Sequence, residues 1–204
     1  MLTPLLRLTT LALAFGLAAA VVGPTQAGSK KIDLRTREGV AAVKGEWRFT
    51  TVRLAEVDAK TEDGKPTKTY TIEPKASGKD YDVSTWELCD PTTLGQRRGL
   101  DQVSFGWYRI KVTIPAEAAG KTVVFETTVD DYGEIWVDGQ LPRKVGDSGG
   151  SVVAGFNAPN RLTLKGAKPG QVVSLAIFAI NGPISALPAN RLFLRETFLE
   201  LIDP

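Results

Sequence analysis

The alternation of apolar and polar residues with a period of two is the feature that most constrains the fold. In "GWYRIKVTIP" the apolar positions are Tyr108, Ile110, Val112 and Ile114, with polar or mixed residues between them. "KTVVFETTVD" and "GEIWVDG" repeat this pattern. Because successive side chains of a β-strand point to opposite faces, each stretch is predicted to be a half-buried strand.

Three further stretches are predicted to be strands of different kinds. "VVSLAIFAI", residues 172–180, is apolar on both faces, which indicates a central strand covered on each side. "RLFLRETFLELI" predicts another long strand, with a helix as the alternative. "GEWRFTTVRLAEV" places Trp47 and Phe49 inward, and its apolar phase then moves to Val52 and Leu54, as a β-bulge or bend would cause.

The connections between these stretches are rich in turn residues. They include "EDGKP", "ASGKD", "DSGG" and "INGP", and Asp138-Gly139 is a two-residue hairpin signal. No convincing helix follows the N-terminal segment, and no alternation of strands with helices is present. About eight or more short strands in roughly 150 residues predict an all-β domain, a two-sheet β-sandwich or jelly roll.

The N-terminal segment, residues 1–27, has the layout of a secretory signal peptide. Arg7 precedes an uncharged run, residues 8–22, and small residues lead to Ala27. The run is shorter than the roughly 20 residues that span a bilayer, which favours cleavage after Ala27 over a retained anchor. Residues 28–204 are then expected to form a single domain in a bacterial periplasm or outside the cell.

The composition excludes several functional classes. The chain has no histidine, which excludes Ser-His-Asp and Cys-His catalysis and any histidine-ligated metal site. The 25 basic residues less Arg7 leave 24 against 23 acidic ones, so the charge balance indicates neither a nucleic-acid partner nor a membrane partner after cleavage. Cys89 is the only cysteine and is predicted to be a small buried hydrophobe.

An acidic stretch, "FETTVDDYGEIWVDGQ", is a candidate active site. Its carboxylates are Glu126, Asp130, Asp131, Glu134 and Asp138. Glycosidases use two facing carboxyl groups, but aspartates are also favoured in turns, and the turn interpretation is preferred here. No cofactor is expected, although Asp130 and Asp131 with loop carbonyls would offer the oxygen ligands that calcium takes.

The aromatic residues indicate a binding site. Trp107 and Trp136 lie on the polar sides of their strands, and Tyr132 lies at the turn that precedes one of them. Together with Asp131 they form the predicted ligand patch, because a sugar stacks its apolar face on aromatic rings and offers hydroxyls to polar groups. The alternative is that the N-terminal segment or a second protein covers both tryptophans.

The sequence also predicts the position of one tryptophan and the role of two asparagines. Trp86, like Trp47, is expected in the core. Asn157 and Asn160 of "GFNAPNR" are expected to cap nearby backbone, with ligand binding as the alternative.

The order of the motifs resembles the galactose-binding-like jelly roll of β-galactosidase-type glycoside hydrolases. The resemblance rests on "GWYRIKVTIP", "FETTVDDYGEIWVDGQ", "GGSVVAGFNAPNRLTL" and "VVSLAIFAINGP", with Asp138 where that family usually has Asn. Residues 32–203 more closely resemble the N-terminal domain that precedes a gluconolactonase-like β-propeller of the senescence-marker/luciferin-regenerating family. The propeller is absent here, which implies that its metal-binding carboxylates and lactone hydrolysis are absent too.

The expected function is that of a secreted, non-catalytic carbohydrate-binding module. Such a module would be free-standing or accessory to a carbohydrate- or lactone-processing enzyme. One alternative is a protein–protein docking or structural domain that uses the same aromatics as anchors. Another is a hydrolase that uses Glu126 or Glu134 with an aspartate.

Overall fold

A computed structural model describes residues 28–96, 98, 103–142, 153–154, 158–181 and 192–204. The predicted signal peptide and Asn157 lie outside these residues. In them the chain forms the strands β1 (Ser29–Asp33), β2 (Trp47–Lys60), β3 (Pro66–Glu73), β4 (Glu87–Cys89), β5 (Phe105–Thr113), β6 (Thr122–Asp130), β7 (Tyr132–Val137), β8 (Val153–Ala154), β9 (Pro159–Thr163), β10 (Val172–Ile180) and β11 (Phe193–Ile202).

These strands form two antiparallel sheets. The smaller sheet has the order β1-β11-β6-β9, and the larger has the order β3-β2-β5-β10-β7-β8, with β4 also paired to β2. Every pairing between strands is antiparallel. The prediction of an all-β, two-sheet sandwich is confirmed.

The core lies between the two sheets and is built by the predicted apolar faces. Tyr108, Ile110 and Val112 of β5, and Ile114 just after it, are at most 2% exposed and belong to this core. Trp47 is 1% exposed, and its Nε1 donates to the carbonyl of Leu34 at 2.9 Å. The indole therefore buries its apolar surface without leaving its single donor unpaired.

Two predictions about individual strands are settled by the pairing. The stretch 172–180 is β10, and it lies between β5 and β7 as a central strand should. Phe193–Ile202 of the stretch "RLFLRETFLELI" form β11, so the helical alternative is wrong for these residues.

Of the two predicted causes for the change of apolar phase in β2, a bulge or a bend, the bulge is wrong. Residues 48–52 pair with β5 and residues 53–60 pair with β3, with no shift of register in either run. Trp47 and Phe49 face the core between the sheets, whereas Val52 packs in a second apolar cluster. The change of apolar phase therefore marks a change in which face of a continuous strand is buried.

One short helix was not predicted from the sequence. It is α1 (Arg37–Ala42), and the Thr36 hydroxyl caps it by accepting from the Gly39 N–H at 3.0 Å. Six residues are too few to show a helical period, so only the cap could have signalled it. In the described ranges no helix has the length and hydropathy needed to cross a bilayer.

Beyond the sandwich, β2 and β3 continue as a two-stranded ribbon. Its pairs run from Arg53 opposite Glu73 to Lys60 opposite Pro66. Leu54 is 50% exposed and Tyr70 is 67% exposed, so the ribbon offers apolar surface to solvent.

Asn160 links the two sheets instead of capping its own loop. It lies in β9 of the smaller sheet, is 0% exposed, and its Nδ2 donates to the carbonyl of Gly133 in β7 of the larger sheet at 2.8 Å. The local-capping prediction for Asn160 is therefore wrong, because the partner is distant in sequence. A side chain on Gly133 would meet this contact directly.

We expect Gly133→Ala to destabilise the fold. A Cβ at Gly133 would lie 2.5 Å from Val129 Cγ2 and 3.1 Å from Asn160 Oδ1, which is closer than packed atoms tolerate. The expected loss in the free energy of unfolding is about 1 to 3 kcal/mol, measured by urea denaturation.

Gly78→Ala is the matched control, because a Cβ there would meet nothing within 4 Å. It should change the free energy of unfolding by less than about 0.5 kcal/mol. Equal effects of the two substitutions would contradict the close packing assigned to Gly133.

Candidate functional site

The outer face of β7 carries an aromatic pair around a carboxylate. Tyr132, Glu134 and Trp136 occupy alternate positions of the strand and so project from the same face. The Tyr132 hydroxyl donates to Glu134 Oε1 at 2.9 Å, and Trp136 Nε1 donates to Glu134 Oε2 at 3.3 Å. All three residues are half-buried. We call Tyr132, Glu134 and Trp136 the β7 ladder.

Apolar residues of β10 lie directly beside the β7 ladder. Ile180, Phe178 and Ala176 stand opposite Tyr132, Glu134 and Trp136, respectively. Ala176 and Phe178 are buried in the second apolar cluster, against which Trp136 also packs. This packing restricts the indole while leaving it half-exposed.

Trp107 lies on the same sheet face but is not accessible to a ligand. It is 1% exposed, and its Nε1 donates to the carbonyl of Pro74 at 2.9 Å. The cover is the segment of residues 74–86, which connects β3 to β4. The prediction that Trp107 belongs to the ligand patch is corrected accordingly. Residues 74–86 of the same domain therefore cover Trp107, in place of the N-terminal segment or second protein that the alternative prediction named.

Trp86 belongs to this covering segment. It is half-buried and packs against Tyr81, with ring centroids 5.7 Å apart. Both rings lie against the second apolar cluster on the outer face of the larger sheet. The expectation that Trp86 lies in the core with Trp47 is therefore wrong, because the segment that carries Trp86 packs against the second apolar cluster.

Asp131 directly precedes the β7 ladder, at the corner where the chain crosses from one sheet to the other. β6 ends at Asp130 and β7 begins at Tyr132, so Asp131 alone makes the crossing. Its N–H donates to the carbonyl of Ile180 at 3.2 Å. The structure thus brings Tyr132 and Trp136 together and places Asp131 beside Asp130.

The Asp130 carboxyl is electrostatically unusual. Its side chain is 13% exposed and accepts from Arg195 at 3.0 Å. Burial, with a hydrogen bond to Asp131 and the charge of Asp131, raises the pKa of Asp130 to about 6, although Arg195 acts in the opposite direction. Asp130 therefore keeps its proton to a higher pH than an ordinary aspartate does.

The remaining carboxylates of the acidic stretch have structural partners. Glu126 lies on the outer face of the smaller sheet, where Arg161 bridges it to Glu200. Glu126 and Glu134 thus face away from each other on different sheets and cannot act on one bond. Asp138 has φ 47° in the turn before Gly139, and its Oδ1 accepts from Ser174 N at 2.9 Å.

Neither a reactive thiol nor a metal cluster is found in the described parts of the chain. Cys89 is 3% exposed, and burial raises the pKa of its thiol to about 12, which confirms the prediction of a buried hydrophobe. No group of three or more cysteines, aspartates or glutamates is placed to bind a metal ion. Asp130 and Asp131 supply only two carboxylates for the calcium site that the sequence left open.

The ligand patch predicted from the sequence omits Glu134, which the structure places between Tyr132 and Trp136. Glu134 was considered only as a polar-face residue or a catalytic carboxylate. The pattern aromatic-x-Glu-x-aromatic over Tyr132 to Trp136 was the available signal, because alternate residues of a strand share one face.

Comparisons with known proteins show the fold. No family model matches the sequence, and no curated protein matches it. A calcium-binding mutant of Bacteroides uniformis β-glucuronidase 2 superposes with a TM-score of 0.54 at 14% identity, over 86% of this chain and 18% of that one. A glycosyl hydrolase family 2 member from Bacteroides cellulosilyticus gives a TM-score of 0.50 at 15% identity, over 86% and 21%.

The chain therefore spans about one fifth of the length of these enzymes. At such identities the likeness concerns the β-sandwich alone. It agrees with the resemblance to β-galactosidase-type glycoside hydrolases, and neither of these two structures is a gluconolactonase-like protein. The closer resemblance stays a prediction.

We expect the Asp131→Asn substitution to lower the pKa of Asp130 from about 6. The substitution removes the neighbouring charge that favours the protonated form. Carboxyl-carbon NMR across pH 3 to 8 would follow the titration of Asp130. Asp82→Asn, an exposed site elsewhere, is the control and should leave the pKa of Asp130 unchanged.

The same pair should affect stability in a defined direction. Between about pH 4 and pH 6 the folded state holds a proton that the unfolded carboxyl has released, so this contribution to stability falls as the pH rises. Asp131→Asn should flatten that part of the stability profile. A normal Asp130 titration in the unsubstituted protein would contradict the assignment.

Proposed function

We propose that the chain is a non-catalytic carbohydrate-binding module that is exported from a bacterial cell. It would act alone or as an accessory to a carbohydrate- or lactone-processing enzyme. The observation that carries the proposal is the β7 ladder, in which Glu134 is held between Tyr132 and Trp136 on a half-open sheet face.

The chemistry of the β7 ladder suits a sugar. The indole of Trp136 offers an apolar, rigid surface on which the C–H face of a pyranose can stack. The Glu134 carboxylate accepts from Tyr132 and Trp136, and a carboxylate has about four lone-pair sites, so it can also accept from sugar hydroxyls. Because its two aromatic donors hold the carboxylate in place, little side-chain freedom is lost on binding.

The fold likeness supports a carbohydrate-related role without transferring an activity. The two enzymes described above are a β-glucuronidase and a glycosyl hydrolase, and this chain matches about a fifth of each. The separation of Glu126 from Glu134 on opposite outer faces argues against a hydrolytic pair of these two. These observations favour carbohydrate binding without hydrolysis, by a module that acts alone or as an accessory.

The test is a glycan-array screen followed by titration of each hit. Trp136→Ala should weaken binding roughly tenfold or more, because the stacking surface is lost. Trp86→Ala is the matched control, since Trp86 is also half-buried on the outer face but belongs to the covering segment. Circular dichroism should show that both variants stay folded.

Three outcomes would overturn the proposal. They are silence across a broad glycan panel, binding that survives Trp136→Ala, and hydrolysis of glycosides by the purified protein. The last would revive the hydrolase alternative. Silence would favour the docking alternative, for which the exposed Leu54 and Tyr70 of the β2–β3 ribbon offer an apolar contact surface.

Export is tested separately. Expression of the full chain in a Gram-negative host should yield periplasmic or secreted protein whose N-terminal residue is Gly28, as identified by mass spectrometry. Uncleaved protein retained in the cytoplasm would contradict this part of the proposal.

A further inference from the structure

A small cleft opens where the covering segment, residues 74–86, passes over β2 and β5. Its volume is about 180 Å³. Its polar and charged lining residues are Lys44, Glu46, Arg48, Tyr81, Arg109 and Lys111. We call this cleft, with its four cations and one carboxylate, the basic cleft.

Arg109 is the unusual member of the basic cleft. It is 4% exposed, and its described partners are all neutral: the carbonyl oxygens of Ala76 and Lys79 and the hydroxyl of Ser174. Among the described residues no carboxylate pairs with its guanidinium. Buried arginines are almost always paired with an opposite charge, since removing a charge from water is costly.

The charges around Arg109 compensate for its burial only in part, because Asp80 acts on it from a distance without an ion pair. Arg48, directly opposite it on β2, is already paired with Glu46. Lys111 Nζ lies 3.9 Å from Asp80, whose side chain is 86% exposed. Burial lowers the pKa of the Arg109 guanidinium, and the smaller opposing effects of Tyr81 and the exposed Asp80 carboxylate do not cancel that burial.

We propose that the basic cleft binds a small oxyanion, a carboxylate, sulfate or phosphate group, that supplies the missing charge beside Arg109. Guanidinium and ammonium donors match the planar or tetrahedral oxygens of such groups. The cleft is smaller than the roughly 300 to 1,000 Å³ pockets that hold drug-sized ligands, so it selects a single anionic group.

This site is distinct from the β7 ladder. Arg109 lies on β5 and Trp136 lies on β7. The strand β10 runs between these two strands, and its residue Ala176 separates Arg109 from Trp136. The proposal therefore does not rest on the proposed function. An acidic saccharide and a free inorganic anion share the chemistry that the basic cleft recognises, and the experiment separates them.

The test is calorimetric titration of the protein at low ionic strength with sodium sulfate, sodium phosphate, sodium acetate, sodium glucuronate and glucose. Saturable binding of at least one oxyanion, weakened by added sodium chloride, is expected. In parallel, the Arg109 Nε–H signal in ¹H–¹⁵N NMR spectra should shift on addition of the anion. That shift places the anion at Arg109 without any substitution.

The double variant Lys44→Gln/Lys111→Gln should bind the anion roughly tenfold more weakly, because two lining charges are lost. Both lysines are exposed, so their replacement is not expected to unfold the domain. Lys60→Gln/Lys165→Gln removes two exposed charges outside the cleft and is the matched control. It should leave the affinity unchanged.

The outcomes separate the sources and the alternatives. Tighter binding of glucuronate than of acetate indicates a sugar carboxylate, whereas equal or tighter binding of sulfate or phosphate indicates a free oxyanion, and either supports the site. No saturable binding by any anion, or affinity unchanged in the cleft double variant, would overturn it. Saturable binding of sulfate or phosphate by a protein that binds no glycan would support this site while the sugar proposal fails, so the two failures are distinguishable.

Discussion

Burial on both faces of the central strands β5 and β10 is the constraint on which the rest of the structure depends. One face of β5 supplies Tyr108 and Ile110 to the core between the sheets, while the other carries Trp107 and Arg109. Exposing the large indole of Trp107 to water would cost free energy. Residues 74–86 cover this face of the sheet, and their carbonyl oxygens accept hydrogen bonds from Trp107 and Arg109.

The same cover determines where a ligand can bind. It closes the outer face over β5, passes close to the Asp138-Gly139 turn, and leaves the β7 ladder half-open at the far side of β10. At its other margin it leaves the basic cleft, where Arg109 is buried among neutral partners. Both proposed sites are therefore consequences of one segment that covers most of a sheet face but not all of it.

The acidic stretch, residues 125–140, is divided between the two sheets, and this division separates its carboxylates. Asp130 ends a strand of the smaller sheet and Tyr132 begins one of the larger, so neighbouring carboxylates point into different environments. Glu126 is neutralised by Arg161, Asp138 serves a turn, and Glu134 joins two aromatics. Sequence proximity therefore does not translate into a single acidic pocket.

The sequence by itself determined the fold class and the inward face of nearly every long strand, because the period of two is a local property that burial imposes on each strand. It also grouped Tyr132 and Trp136 in one ligand patch, but it assigned Tyr132 to a turn, and only the structure places both on one face of β7. The sequence could not determine that Trp107 is covered, that Trp86 lies on the outer face or that Asn160 bridges the sheets. Those outcomes depend on contacts between segments about 30 residues apart, such as Trp107 with Pro74 and Asn160 with Gly133. Only the tertiary structure brings such segments together, because the packing of one strand face against a distant loop leaves no periodic trace in either sequence.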